Sequence, residues 1–417
     1  MRLRASFWVF PPLRLDRLAS YDSAGAKGVC FGAVSPGLLD KFAGTESGRM
    51  KRLIATLTFA AAWLALCGTA GAQSQFYVLT NNDNIRNSAT LFNLNREGSL
   101  SEVQSFSTGG EAVEGGYYAG ATQVISPGAA CIFVADGDSN DIAAFSKSTG
   151  YRRVGKFWNR ALLGASNMPM VLNSSGTILY AAYEFSSNLA VWTVHPDCTL
   201  ALANTYSTAG FLGDMAITHD GSTLLCVYVL AKEAGSFAIS GSTLTDNGTV
   251  STVSEVTSIK LTNDDKMVVM GTGYLSFTST VVTASLPGFT NQQKWTLGPG
   301  YSAASIALSP QASAGNGCLY IGNTGSGSVG QSGVTGATFA ESPLSITYVS
   351  SVVSPVATYV GNLATITNGG NGGGVYAAEV PGYIGVYTAD PSCAVTLEKE
   401  TADPYSTFIL SLSSWTR

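Results

Sequence analysis

Only two histidines, His195 and His219, occur in 417 residues, which excludes a multi-histidine metal site. His195 stands in V-H-P-D-C-T-L and His219 in T-H-D-G-S-T, so both read as turn residues. No G-x-S-x-G elbow is present, and neither histidine has a Ser and Asp companion of the kind acyl transfer needs. The run G-S-G-S-V-G at 325–330 matches a dinucleotide fingerprint, yet Gln331-Ser332-Gly333-Val334 follows where a helix must begin. Asp136-Gly137-Asp138-Ser139-Asn140-Asp141 spaces oxygen ligands two residues apart, as calcium loops do. Asp141 occupies the position where an EF-hand needs Gly, and Lys147 the position where it needs Glu. Calcium held by Asp136, Asp138 and Asp141 is therefore an optional, non-EF-hand expectation, and no cofactor is required.

Composition limits what could position such residues. Charged residues make up 12% and hydrophobic residues 45%, against a usual charged fraction of about 25%. An apolar chain of this kind is not disordered, and its 22 bases against 27 acids exclude a basic nucleic-acid binder. Residues 1–49 show no sustained periodicity and read as an upstream extension outside the folded protein. From Met50 the text changes: Lys51-Arg52, an apolar run from Leu53 to Cys67, then Ala70-Gly71-Ala72. This is the pattern of a secretory signal peptide over 50–72, cleaved after Ala72. The run is shorter than the ~20 residues of a membrane span, so no transmembrane anchor remains after cleavage. Bulky Leu66 beside Cys67 disfavours lipoprotein processing. The first 72 residues hold nine of the 22 bases and four of the 27 acids, which leaves residues 73–417 at −10. An exported, periplasmic or extracellular monomer follows, with no nucleic-acid partner.

Residues 73–417 repeat. Seven β-runs, Phe76–Thr80, Cys131–Ala135, Ile178–Ala182, Thr223–Val229, Lys266–Met270, Cys318–Gly322 and Val375–Ala378, start 43–57 residues apart. Most follow turn signals such as Pro127-Gly128, Ser175-Gly176, Asp220-Gly221 and Asp264-Asp265. No later window sustains a helical period. Each cycle divides into four strands; in the second they are Ala121–Ser126, Cys131–Ala135, Ile142–Phe145 and Val154–Trp158. Four strands per ~40–50 residues predict an all-β, seven-bladed β-propeller as one domain. The chain enters on a second-type strand, and Phe408–Leu412 reads as the missing first strand, closing the ring by joining the N-terminal blade. Cys131 and Cys318 open second strands, while Cys198 and Cys393 lie in third-to-fourth turns one blade later. The repeated relation predicts Cys131–Cys198 and Cys318–Cys393 disulfides, with Cys226 free.

The stretches F-Y-V-L-T-N-N-D at 76–83, C-I-F-V-A-D-G-D-S-N-D-I-A-A-F at 131–145 and I-L-Y-A-A-Y-E-F-S-S-N-L-A-V-W at 178–192 resemble the lactonase-like, YVTN-type propellers. That family includes 6-phosphogluconolactonases and carboxymuconate cyclases, so the resemblance implies a seven-bladed fold and lactone chemistry. Its His-containing motif is absent from Asn167-Met168-Pro169-Met170-Val171-Leu172, and no catalytic residue carries over. The acids assigned to the second-to-third turns and blade-to-blade connections outnumber the bases, which predicts an acidic channel mouth. Binding of a small molecule, carbohydrate or protein there is the first reading, through Tyr117, Tyr118, Asn167, Glu184 and Tyr405. The second is lactone hydrolysis or formation, with Glu111, Glu114, Asp214 or Glu255 as general base or metal ligand. The third is an architectural cell-surface propeller.

Overall fold

The computed structural model describes residues 76–95, 99–112, 120–159, 168–272, 279–297, 303–309, 317–323, 332–357, 359–368, 372–380, 382–405 and 411–416. They form seven four-stranded antiparallel sheets arranged in a ring. The first blade contains β1 (Phe76–Asn81), β2 (Ser88–Leu94) and β3 (Leu100–Ser107). The second is β4 (Gln123–Ile125), β5 (Cys131–Asp136), β6 (Asp141–Ser146) and β7 (Arg152–Trp158). The third is β8 (Met170–Leu172), β9 (Ile178–Tyr183), β10 (Asn188–Val194) and β11 (Leu200–Ser207). The fourth is β12 (Leu212–Ile217), β13 (Thr223–Tyr228), β14 (Glu233–Ser240) and β15 (Thr243–Ser251). The fifth is β16 (Ser258–Leu261), β17 (Met267–Gly271), β18 (Thr280–Ser285) and β19 (Thr290–Thr296). The sixth is β20 (Ala303–Leu308), β21 (Gly317–Asn323), β22 (Gly333–Glu341) and β23 (Leu344–Val353). The seventh is β24 (Tyr359–Asn368), β25 (Gly372–Val380), β26 (Tyr383–Ala389) and β27 (Val395–Ala402). The last strand, β28 (Ser411–Thr416), pairs antiparallel with β1, from Phe76 opposite Thr416 to Asn81 opposite Ser411. It begins three residues after the start expected from sequence, and Phe408 lies outside the described residues.

A strand's period of two explains why such short segments suffice. On β5, Cys131, Phe133 and Ala135 pack toward the third blade, while Ile132 and Val134 pack toward the first. Both faces are therefore apolar, and β5 and β6 are buried throughout. The same division recurs around the ring: among the described residues, the buried apolar side chains form seven clusters, each shared by two successive blades. One of them joins Tyr376, Ala378 and Ile384 of the seventh blade to Val78, Phe92 and Leu94 of the first. Fourth strands stand at the rim and are mostly exposed, as on β15. First strands of neighbouring blades lie side by side around the centre.

Turns finish the blades. Gly176 and Gly221 take φ of 69° and 72° after the first strands β8 and β12, a backbone conformation that costs glycine least. Strand direction alternates, so second-to-third turns and blade-to-blade connections share one end of the ring, here the upper face. First-to-second and third-to-fourth turns share the lower face. Two disulfides lie toward the lower face. Cys131–Cys198 (S–S 2.06 Å) ties the second blade to the third, and Cys318–Cys393 (2.01 Å) ties the sixth to the seventh. Cys226 is a buried free thiol on β13.

Candidate ligand channel

The first strands line the centre, and four successive ones flank an open cavity. It has a volume of about 290 Å³ and is bounded by β4, β8, β12 and β16. Val124, Ile125, Met170, Val171, Leu172 and Met215 make an apolar wall, into which Gln123, Asp214 and Lys260 bring polarity. Asp214 is 3% exposed on β12. Its Oδ1 accepts the Met215 N–H at 2.9 Å; its Oδ2 accepts the Ile259 N–H at 3.0 Å and Lys260 Nζ at 3.1 Å. Ile259 and Lys260 belong to β16, so the carboxylate links the fourth blade to the fifth. Three donors leave Asp214 poorly placed to take a proton from substrate, and the sequence-based role of general base fits it less well than that of anchor. Lys260 differs: its side chain is 36% exposed, and an ammonium has three N–H donors. Neither Lys260 nor Gln123 stood out in the sequence. The available signal was a lone lysine inside the otherwise apolar first strand S-I-K-L at 258–261.

Most of the other described upper-face carboxylates turn inward. Asp83, Asp136, Asp141, Glu184, Glu379 and Asp403, all expected at an acidic mouth, are buried beneath the upper face, whereas Glu111 and Asp138 are exposed. Hydroxyl and amide donors hold several of them between blades. Asp403 accepts from Thr80 Oγ1 at 3.1 Å and Thr90 Oγ1 at 3.3 Å. Burial raises Asp403 above the usual carboxylate range, opposed by its bonds from the Tyr405 N–H and the two threonines. Tyr405 itself is half exposed. Glu255 is half-buried; burial raises its pKa, and the Lys232 charge and a Leu230 N–H oppose the rise. Glu184 opens a one-turn 3₁₀ segment, Glu184–Ser186, between β9 and β10.

Asp136 and Asp141 face each other across the β5–β6 hairpin. Asp136 Oδ1 accepts from Asn87 Nδ2 of the first blade at 2.7 Å, and Lys156 Nζ lies 2.9 Å from Asp141 Oδ2. The remaining oxygens, Asp136 Oδ2 and Asp141 Oδ1, are buried without another hydrogen-bonding partner. Burial, reinforced by the Asp141 charge and opposed by Thr108 and Asn87, pushes Asp136 up to about 8. Exposed Asp138 stands apart from the pair, and among the described residues no group of three or more His, Cys, Asp or Glu gathers as a metal site requires. A similar arrangement occupies the seventh blade. The single Ser354 hydroxyl lies 3.2 Å from Glu379 Oε2 and 2.6 Å from Glu400 Oε1. One hydroxyl proton cannot serve both carboxylates, and burial pushes Glu379 up to about 7.

Both histidines occupy lower-face turns. His195 is exposed, and its carbonyl accepts the Cys198 N–H at 2.8 Å. His219 Nδ1 lies 2.7 Å from Asp265 Oδ1, linking the fourth and fifth blades. Glu114, Tyr117, Tyr118, Asn167 and the 325–330 glycine run lie outside the described residues.

No protein-family model and no curated protein matches the chain. Solved structures do. A Bacteroides fragilis protein provisionally described as a 6-phosphogluconolactonase superposes with a TM-score of 0.66 at 15% identity, over 83% of this chain and 99% of its own. The fold is a seven-bladed β-propeller, shared with this structure. The periplasmic gluconolactonase of Pseudomonas aeruginosa gives 0.57 at 16% identity, over 81% and 99%. The RRP9 WD40 repeats also match, at 0.52 and 14% identity over 72% and 85%. Identities this low show the propeller fold alone, because that scaffold carries unrelated activities.

Proposed function

We propose that the protein is an exported ligand-binding propeller that takes a small, largely apolar molecule bearing a carbonyl or hydroxyl oxygen. The observation that carries this reading is the cavity of about 290 Å³ whose apolar wall meets one lysine ammonium at Lys260. Its size lies near the lower limit for small-molecule sites, and a few convergent polar groups on an apolar wall are what such sites use for orientation. Asp214 holds Lys260 by one hydrogen bond, leaving N–H donors for a ligand oxygen. Export accords with the signal-peptide pattern over 50–72 and with the two disulfides.

Lactone hydrolysis at the same place is the second reading, favoured by the resemblance to lactonase folds. There the Lys260 ammonium would polarise the lactone carbonyl. Binding is preferred because Asp214, the one carboxylate among the described lining residues, has both oxygens engaged by three donors.

Calorimetry and acid release on a panel of γ- and δ-lactones separate the two. Heat of binding without turnover, weakened about tenfold or more in Lys260→Met, is the expected result. Turnover lost in that variant would establish the hydrolase instead. Equal binding by Lys260→Met and the parent would sink the assignment of this cavity.

A further inference from the structure

The fourth strands of the third, fourth and sixth blades each hand over to a Thr or Ser: Thr208 after β11, Thr252 after β15 and Ser354 after β23. Thr208 and Thr252 give their hydroxyl protons to the carbonyls of Gly210 at 2.9 Å and Ser254 at 2.6 Å, groups that do not titrate. Ser354 differs. Its Oγ accepts the Ala357 N–H at 2.9 Å and the Val356 N–H at 3.3 Å, folding Ser354-Pro355-Val356-Ala357 back on itself as serine turns do. Its one proton lies between two carboxyl groups, Glu400 Oε1 at 2.6 Å and Glu379 Oε2 at 3.2 Å. The two acids meet across Gly385 of β26, which pairs with Ala377 of β25 on one side and Glu400 of β27 on the other. A Cβ at Gly385 would collide with the Glu379 carboxyl.

We propose that Ser354, Glu379 and Glu400 form a pH-sensitive latch on the connection between the sixth and seventh blades, closed while Glu379 keeps its proton. Hydrogen counting carries it. A hydroxyl has one proton and two lone pairs; the proton goes to Glu400 at the shorter distance, and the Ala357 N–H takes one lone pair. The second is held only weakly by Val356, so a neutral Glu379 carboxyl can donate to it. Ionised, Glu379 can only compete with Glu400 for the same proton. Glu379 is buried and Glu400 half-buried, and among the described residues no cation forms an ion pair with either. The titratable groups facing Glu379 are Glu400 on β27, Tyr387 on β26, whose hydroxyl donates to Oε1 at 2.6 Å, and Tyr383, opposite it in the β25–β26 pairing. Its partner on β24 is Val360, and β22 and β23 of the sixth blade carry one charge, Glu341, at their lower end. Burial, opposed by Tyr387 and Ser354 and reinforced by the Glu400 charge, pushes Glu379 up to about 7. Opening frees the connection at Ala357, which packs against the core shared by the sixth and seventh blades.

The test is amide hydrogen exchange of the full chain from pH 4 to 9, corrected for the intrinsic exchange rate and read at Val356 and Ala357. The open segment leaves Glu379 with an ordinary carboxyl, so opening releases a proton between the two pKa values and not above them. Protection is therefore expected to be greatest near pH 4, to fall by about tenfold or more between pH 5 and 7, and then to level off. Glu379→Gln keeps a neutral donor and should hold protection constant with pH. Ser354→Ala should lose it at every pH. Tyr387→Phe removes a donor that opposes the rise at Glu379, so the decline should continue to higher pH. The Gly150 amide, bonded to the Lys147 carbonyl in the β6–β7 turn, should show no such decline. Flat protection in the parent, or a parent-like decline in Glu379→Gln, overturns the latch. If Glu379→Gln fails to fold, an unshifted decline in Tyr387→Phe overturns it.

Discussion

Burying a carboxyl group disfavours its charge, and this chain exploits that at Asp136 and Glu379, raised from 3.8 and 4.5 to about 8 and about 7. The folded state keeps protons that the unfolded chain releases above about pH 4, so stability from these groups is greatest at acid pH and declines as pH rises toward 8. Urea midpoints measured from pH 4 to 9 are expected to fall with pH in the parent and to fall less in Asp136→Asn. An unchanged slope would mean that Asp136 does not hold a raised pKa in the folded protein. Gly110 belongs to the same joint, since a Cβ there would collide with the Asp136 carboxyl. At Asp214 the chemistry is opposite: substituting Ala strands the Ile259 and Met215 N–H groups and the Lys260 charge, a loss of about 2–4 kcal/mol. Chemical denaturation measures it, and a loss below about 1 kcal/mol would refute the linking role. Sequence displayed these acids but not their orientation. Turn residues are ordinarily solvated, and only packing between blades pulls Asp136, Glu184 and Glu379 inward.

At the level of elements, the second strands were readily legible because they are buried on both faces and read as continuous apolar runs bounded by turn signals. All seven appear where the repeat places them, from β1 to β25. Fourth strands are partly exposed and carry weaker patterns. A register shift interrupts the third-to-fourth pairing in every blade. Such a bulge adds one residue and increases twist, and no residue type marks it. Each disulfide closes a long loop, with cysteines 67 and 75 residues apart, and loop entropy assigns each about 4 kcal/mol. Cys131→Ser with Cys198→Ser should lower unfolding free energy by roughly 2–4 kcal/mol. Equal denaturation curves would show that noncovalent packing between the second and third blades is sufficient.

Across the whole molecule, the longest-range strand pairing sets β28 against β1. β28 supplies the first strand of the blade that β1–β3 leave incomplete, and it lies beside both β24 and β4. We propose that this pairing closes the ring. Deleting residues 411–417 should then expose the β1 edge and loosen the seven-to-one core around Tyr376 and Phe92. The expected readout is loss of a single cooperative transition, or aggregation through the freed edge; parent-like unfolding would reject closure by this strand. No helix among the described residues is long and apolar enough to cross a membrane.

Sequence alone determined the strand repeat and the blade count, because both follow from local periodicity and turn chemistry. It also marked the leader-like pattern at 50–72, whose export role is for the amino terminus of the purified protein to test. Tertiary structure decided which polar groups meet. Asp214 finds Lys260 46 residues away, and Asn87 finds Asp136 49 residues away. Such distances are closed by the curvature of the ring, which no local pattern encodes. The same curvature turns most of the described upper-face acids toward the blades, where burial raises Asp136, Glu379 and Asp403 above the ordinary carboxylate range.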